Sequence, residues 1–252
     1  MSDEVENGED TVAACLNCGE QNIRAFCPTC GQPSSTSRYS LKSLAGEVYS
    51  QVRKLDITSS LKTIWELTKR PGEFVRGYME GRRVGFLNPV KFFFISFVVQ
   101  VLFGTFALWL SHDQQFESLT KLDSRLEFVG LISTIFWGGL WALMFRRSGF
   151  NLVENMASAL FFVGQSNFYG IILDALMIPL HSIAPGAATY IVFADIAVVI
   201  GYGFFFVRKV FGEPWYLVVP KHIFLSILFL IITLLVSIGG AVLVVLSGYS
   251  AR

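Results

Sequence analysis

NPVKFFFISFVVQVLFGTFALWL (Asn88–Leu110) decides the class of fold. Asn88 is a good helix N-cap, and Pro89 suits the first helical position, where its missing N–H is not needed. From Phe92 to Leu110 no residue is charged. A helix of about 18–25 such residues crosses a hydrocarbon core of roughly 30 Å. Four more apolar stretches follow, near 128–145, 156–180, 187–207 and 223–246. The expectation is an all-α integral membrane protein with five transmembrane helices in a membrane domain covering 89–252.

Composition agrees with that reading. The chain has 252 residues, of which 53% are hydrophobic, 24 are Phe and only 15% are charged. The mean hydropathy is +0.54. Such values are those of membrane proteins rather than soluble domains. The charges are unevenly placed: 12 of the 20 Lys and Arg lie between Arg24 and Lys91. Arg146 and Arg147 sit between the second and third spans, and Arg208, Lys209 and Lys221 between the fourth and fifth. The loop between the third and fourth has no Lys or Arg. The positive-inside rule then predicts a cytosolic N-terminus and an external C-terminus, in a cell inner (plasma) membrane.

The region before the first span divides in three. Residues 1–12 hold Asp3, Glu4, Glu6, Glu9 and Asp10 and read as a disordered acidic tail without a signal-peptide pattern. Residues 13–33 contain all four cysteines, as Cys15-Leu16-Asn17-Cys18-Gly19 and Cys27-Pro28-Thr29-Cys30-Gly31. Two CxxCG knuckles predict a structural zinc ribbon ligated by Cys15, Cys18, Cys27 and Cys30. Four thiolates leave zinc no open position, so the site is a staple rather than a catalytic centre. A cytosolic location is reducing and disfavours disulfides. Residues 34–39 read as a linker by composition.

Residues 40–88 predict amphipathic juxtamembrane helices. One carries Leu41, Leu44, Ala45, Val48 and Val52. A second, through Leu61, Ile64 and Trp65, should stop before Pro71, and a third starts at Pro71 and ends at Gly81. These helices either cover the cytosolic face of the bundle or lie in the headgroup layer. In the second case Lys69, Arg70, Arg76, Arg82 and Arg83 would face anionic lipid.

The sequence CLNCG, then FCPTCGQ (Phe26–Gln32), then KRPGEFVRGYMEGRRVGFLNPVKFFF (Lys69–Phe94), resembles a bacterial membrane family catalogued as domain of unknown function 3667. The resemblance covers about Cys15–Phe94. It implies the same four cysteine ligands and a hydrophobic C-terminal region, with Pro71, Tyr78, Gly81, Arg82, Asn88 and Pro89 as further matching positions. It implies no activity. The apolar region also resembles, in span number and composition alone, Yip1-like five-span bundles.

Polar residues inside the spans are the remaining candidates for function. Asp195 falls near the middle of the fourth span, where a charged Asp costs about 2.5–3.5 kcal/mol. Gln165 and Asn167 are its expected neighbours, Asp174 shares a face with Asn167, and Gln100 is the comparable residue of the first span. They form either a polar path for protons, cations or a small solute, or glue between helices. Glu154, at the start of the third span, is expected to complement the helix dipole and to pair with Arg146 or Arg147. His222 reads as an interfacial anchor.

No GxSxG, HExxH or P-loop motif is present, so no enzyme is expected. Between Cys15 and Gln32 the only basic residue is Arg24, too little to bind nucleic acid. The expected function is a membrane scaffold or regulator whose ribbon recruits a cytosolic protein partner, with homo-oligomers allowed. The alternative is a small transporter or channel.

Overall fold

The computed structural model describes residues 14–21, 24–41, 57–111, 134, 136–183, 187–228, 231, 232 and 235. Among them the regular structure is helical, and the β-structure is one isolated bridge, Phe26 with Pro33. The helices are α1 (Ile57–Lys69), α2 (Pro71–Glu80), α3 (Pro89–Ser111), α4 (136–144), α5 (Leu152–Ile183), α6 (Ala187–Phe211) and α7 (Trp215–Leu228). A 3-10 turn at Arg146–Ser148 joins α4 to α5. The acidic tail, the first neck helix, residues 112–133 with the expected start of the second span, and the end of the fifth span lie outside the described residues.

Local sequence explains most helix ends. Proline at 71 stops α1 and starts α2. Gly81 takes φ +118°, a left-handed backbone open to glycine, and its N–H caps α2. Asn88 Oδ1 accepts from the Lys91 N–H at 2.7 Å and caps α3.

Among the described residues, two helices, over Pro89–Phe106 and Leu152–Leu176, are long and apolar enough to cross a membrane. These are the first and third expected spans. Helix α6 covers the fourth and is 25 residues long. Helix α7 begins at Trp215, before the expected start of the fifth span near 223.

The bundle and the neck share one core. Helix α3 packs along α5, α5 along α6, and α2 across α6. Leu67 of α1 and Phe74, Val75, Tyr78 and Met79 of α2 are buried in the same cluster as Phe92, Trp141, Phe161 and Phe206. Phe161 is the hub: its ring lies 5.2 Å from those of Phe74 and Tyr78 and 5.8 Å from Phe92. Two glycines permit this closeness. A Cβ on Gly72 would stand 2.2 Å from the Lys209 carbonyl oxygen, and one on Gly138 2.5 Å from the Met156 Cα. The neck therefore covers the end of the bundle formed by the start of α5 and the end of α6.

Candidate metal centre and buried polar contacts

The two knuckles fold alike. The Gly19 N–H donates to the Cys15 carbonyl and the Gly31 N–H to that of Cys27, while the Cys15 and Cys27 N–H groups donate to Glu20 and Gln32. Gly19 and Gly31 have φ of 78° and 75°, where a side chain would be strained. This repetition aims both pairs of sulfurs inward. Cys15 Sγ lies 3.6 Å from Cys30 Sγ and Cys18 Sγ 3.5 Å from Cys27 Sγ. All four sulfurs lie within 4.8 Å of one another. A metal with four sulfurs at about 2.3 Å needs S···S edges near 3.8 Å. All four are free thiols, so the cluster can hold a metal ion. The Glu20 carboxylate ties the knuckles together by accepting from the Thr29 hydroxyl at 3.0 Å.

Electrostatics fit a cation. Backbone N–H groups of Cys18 and Asn17 bring the Cys15 thiol down to about 7. At Cys18 the Glu20 N–H pulls the same way, but desolvation and the neighbouring thiols win and push it up to about 12. The Cys15 thiolate forms readily and that of Cys18 is opposed; a bound dication would remove that opposition.

The ribbon is seated on the neck. Leu16 rests on Gly81, where an added Cβ would meet its Cδ1 at 2.7 Å. Residues 34–39, linker-like in composition, are pinned at several points. The Tyr39 N–H donates to the Met79 carbonyl, and Arg83 donates to the Ser37 carbonyl and stacks on the Tyr39 ring. Arg38 reaches Glu154, with Nε 2.6 Å from Oε1 and Nη2 2.8 Å from Oε2. Glu154 thus pairs with Arg38 and not with Arg146 or Arg147 as expected from proximity in sequence. The carboxylate's hydrogen bonds and charge hold the Arg38 guanidinium above its ordinary range. Glu154 also closes a capping box: its Oε2 accepts from the Asn151 N–H at 2.7 Å, and its own N–H donates to Asn151 Oδ1 at 2.9 Å. The Asn151-Leu152-Val153-Glu154 spacing carried that signal, and Asn151 is a structural residue that sequence reading missed. A cavity of about 320 Å³ opens beside this contact, lined by Arg38, Arg76, Glu80 and Glu154 among others.

The basic neck residues have divided duties. Arg76 donates to the Val210 carbonyl and Arg83 to those of Tyr78 and Ser37, so both point into the protein. Arg70 pairs with Glu66 and Glu73, Lys69 lies over the Trp65 ring, and Arg82 lies across Gly77.

The intramembrane candidates separate into two groups. Gln165 is fully buried and donates to Thr68 Oγ1 at 2.9 Å, toward α1. Asn167 donates to Ser96 Oγ at 3.2 Å, toward α3. One turn on, Gln100 and Asp195 converge on Gly170, where a Cβ would lie 3.4 Å from Gln100 Nε2 and 3.6 Å from Asp195 Oδ1. Asp174 follows on the same face of α5. Ser96, Gln100, Asn167, Gly170 and Asp195 therefore form a polar seam where α3, α5 and α6 meet. His222 is buried, with Nε2 3.1 Å from the Ile200 carbonyl and Nδ1 without a partner. It is an internal residue of the α6–α7 contact rather than the interfacial anchor expected.

Residues 61–101 match the model of the family described as "Protein of unknown function (DUF3667)". The match runs from α1 into α3 and thus includes the neck and its junction with the first apolar helix. No curated protein and no solved structure matches the chain.

Proposed function

We propose that this is an integral membrane scaffold or regulator whose metal-stapled ribbon forms a fixed docking platform on its cytosolic face. The reading takes the metal as zinc, the membrane as the cell inner membrane, and the topology as five spans with the N-terminus inside. The observation that carries it is the seating of the ribbon. Leu16 on Gly81, Tyr39 on Met79 and Arg38 on Glu154 hold it against a neck that shares the bundle's core. A module recruited only for its own fold needs no such fixation; a platform presenting a surface at set geometry does. The four-cysteine donor set suits zinc, which there supplies folding energy and no reaction. Cross-linking in native membranes, with mass spectrometry of what joins residues 14–88, tests the idea. Partners captured by the wild type should be lost in Cys18→Ser at equal protein level. Retention of every partner by that variant refutes the platform role.

A second reading is supported by the convergence of Gln100 and Asp195 on Gly170. A carboxyl and carboxamides along one helix seam are suited to carrying protons, cations or a small polar solute. Solute flux in reconstituted vesicles that disappears in Asp195→Asn decides for transport. Equal flux in wild type, variant and empty vesicles decides against it.

A further inference from the structure

Helix α1 is turned inside out for a helix facing water. Its inner face, at i, i+4 and i+8, consists of Ser59, Thr63 and Leu67, all buried. Two of these are hydroxyl residues; Thr63 donates to the Ser59 carbonyl and accepts from the Leu87 N–H. The outer face, at the same spacing, carries Ile57, Leu61 and Trp65, which are 74%, 63% and 58% exposed. A helix on a water-facing surface would place those two triads the other way round.

What lies against the outer face follows from where α1 is tied. Thr68 Oγ1 accepts from Gln165 Nε2 at 2.9 Å and from the Tyr169 hydroxyl at 3.1 Å, and the Tyr202 hydroxyl donates to the Leu67 carbonyl at 3.2 Å. The end of α1 is thus bound to the Leu152–Leu176 helix, which is long and apolar enough to cross a membrane. Tyr169, Ile172 and Leu176 lie at i, i+3 and i+7 along α5, and the last two are exposed. Thr68 lies three residues beyond Trp65 on the outer face, so that face meets α5 at its C-terminal end. Lys69 sits with its ammonium 4.8 Å from the centre of the Trp65 ring. A tryptophan beside a lysine is the pairing found where hydrocarbon gives way to headgroups.

We infer that the Ile57–Leu61–Trp65 face of α1 is inserted in the interfacial layer of the bilayer, in contact with lipid acyl chains. The inference rests on the membrane reading above and deepens it: apolar side chains of α1, rather than the inward-turned Arg76 and Arg83, make the neck's main lipid contact. Its depth should be about 5–10 Å below the headgroup boundary, which requires α5 (Leu152–Ile183) to enter the hydrocarbon near Gln165, where α1 is tied, rather than at Leu152.

A nitroxide amino acid encoded at Leu61 in the full-length chain, in vesicles of phosphatidylcholine and phosphatidylglycerol, tests this. Relaxation by oxygen reports lipid, and relaxation by a water-soluble nickel chelate reports water. The same label at Leu102, an exposed residue of α3, tests the membrane reading separately. Both sites should respond more to oxygen than to nickel, Leu102 by the larger ratio. A nickel-dominated signal at Leu61 places the face in water. Weak response to both reagents places it under protein, whether a partner, a second copy or residues 42–56. Either result at Leu61, with Leu102 in lipid, overturns the inference alone; a nickel-dominated Leu102 overturns the membrane reading as well.

Discussion

Arg38→Ala should loosen the ribbon's attachment about tenfold without unfolding the bundle. Glu154 is fully buried and Arg38 is 63% exposed. Truncating Arg38 removes two hydrogen bonds to the carboxylate and one to the Gly149 carbonyl. Hydrogen bonds to charged groups contribute about 1.5–3 kcal/mol, and solvent around Arg38 argues for the lower figure. The loss remains appreciable because the carboxylate left behind has the Asn151 N–H and little water. About 1.5 kcal/mol is close to a factor of ten in an opening equilibrium. The site to watch is the Tyr39 N–H, bonded to the Met79 carbonyl 3.0 Å away. Hydrogen exchange there reports local opening of the attachment. Protection should fall about tenfold in Arg38→Ala and recover in part in Arg38→Lys, which restores charge but not the two-pronged geometry. In a Glu154→Gln background, which keeps the capping box but not the charge, Arg38→Ala should cost much less. Exchange at Tyr39 unchanged within about twofold in Arg38→Ala would refute the clamp.

Cys18→Ser should bind less metal than wild type by elemental analysis, and uptake by the wild-type protein should weaken as pH falls, because each thiol must shed its proton; full occupancy in the variant contradicts the four-sulfur site. Gly72→Ala drives a methyl into the Lys209 carbonyl and should cost about 1–3 kcal/mol in detergent-based unfolding, with wild-type stability refuting the neck's close approach to α6. Thr68→Val should destabilise by about 1–3 kcal/mol, since it strips the partner from a buried amide whose Oε1 is already unpaired. Gln165→Leu removes that amide altogether and should cost less; the reverse order of the two variants would contradict the Thr68 contact.

Residues near one another in sequence announced their roles, and those meeting across the fold did not. The knuckle spacing gave the sulfur cluster. Pro71, Gly81 and the Asn88-Pro89 pair gave three helix boundaries, each decided by backbone chemistry within one turn. Arg38 was hidden because its partner lies 116 residues away and its surroundings, Ser34 to Ser40, carry no periodicity. Asp195 illustrates the same limit. Counting along the spans carries no information on rotation about the helix axis, and it named Gln165 and Asn167 as neighbours. The helices turn Gln165 to Thr68 and Asn167 to Ser96, and bring Gln100, which the count had not paired with Asp195, to the Gly170 position that Asp195 faces.

The core shared by neck and bundle has a consequence for biosynthesis. Phe74, Val75, Tyr78 and Met79 emerge from the ribosome well before the end of α6 that covers them. Pro71 and Phe211 are separated by roughly 140 residues, or about 7–28 s at 5–20 residues per second. For that interval α6, which covers the neck's apolar face in the folded chain, is not yet complete. The contact of Gly72 with Lys209 and of Arg76 with Val210 is then made late, as a closing step that joins the neck to a completed helical hairpin. Packing of the neck thereby becomes a readout of whether α5 and α6 have been completed.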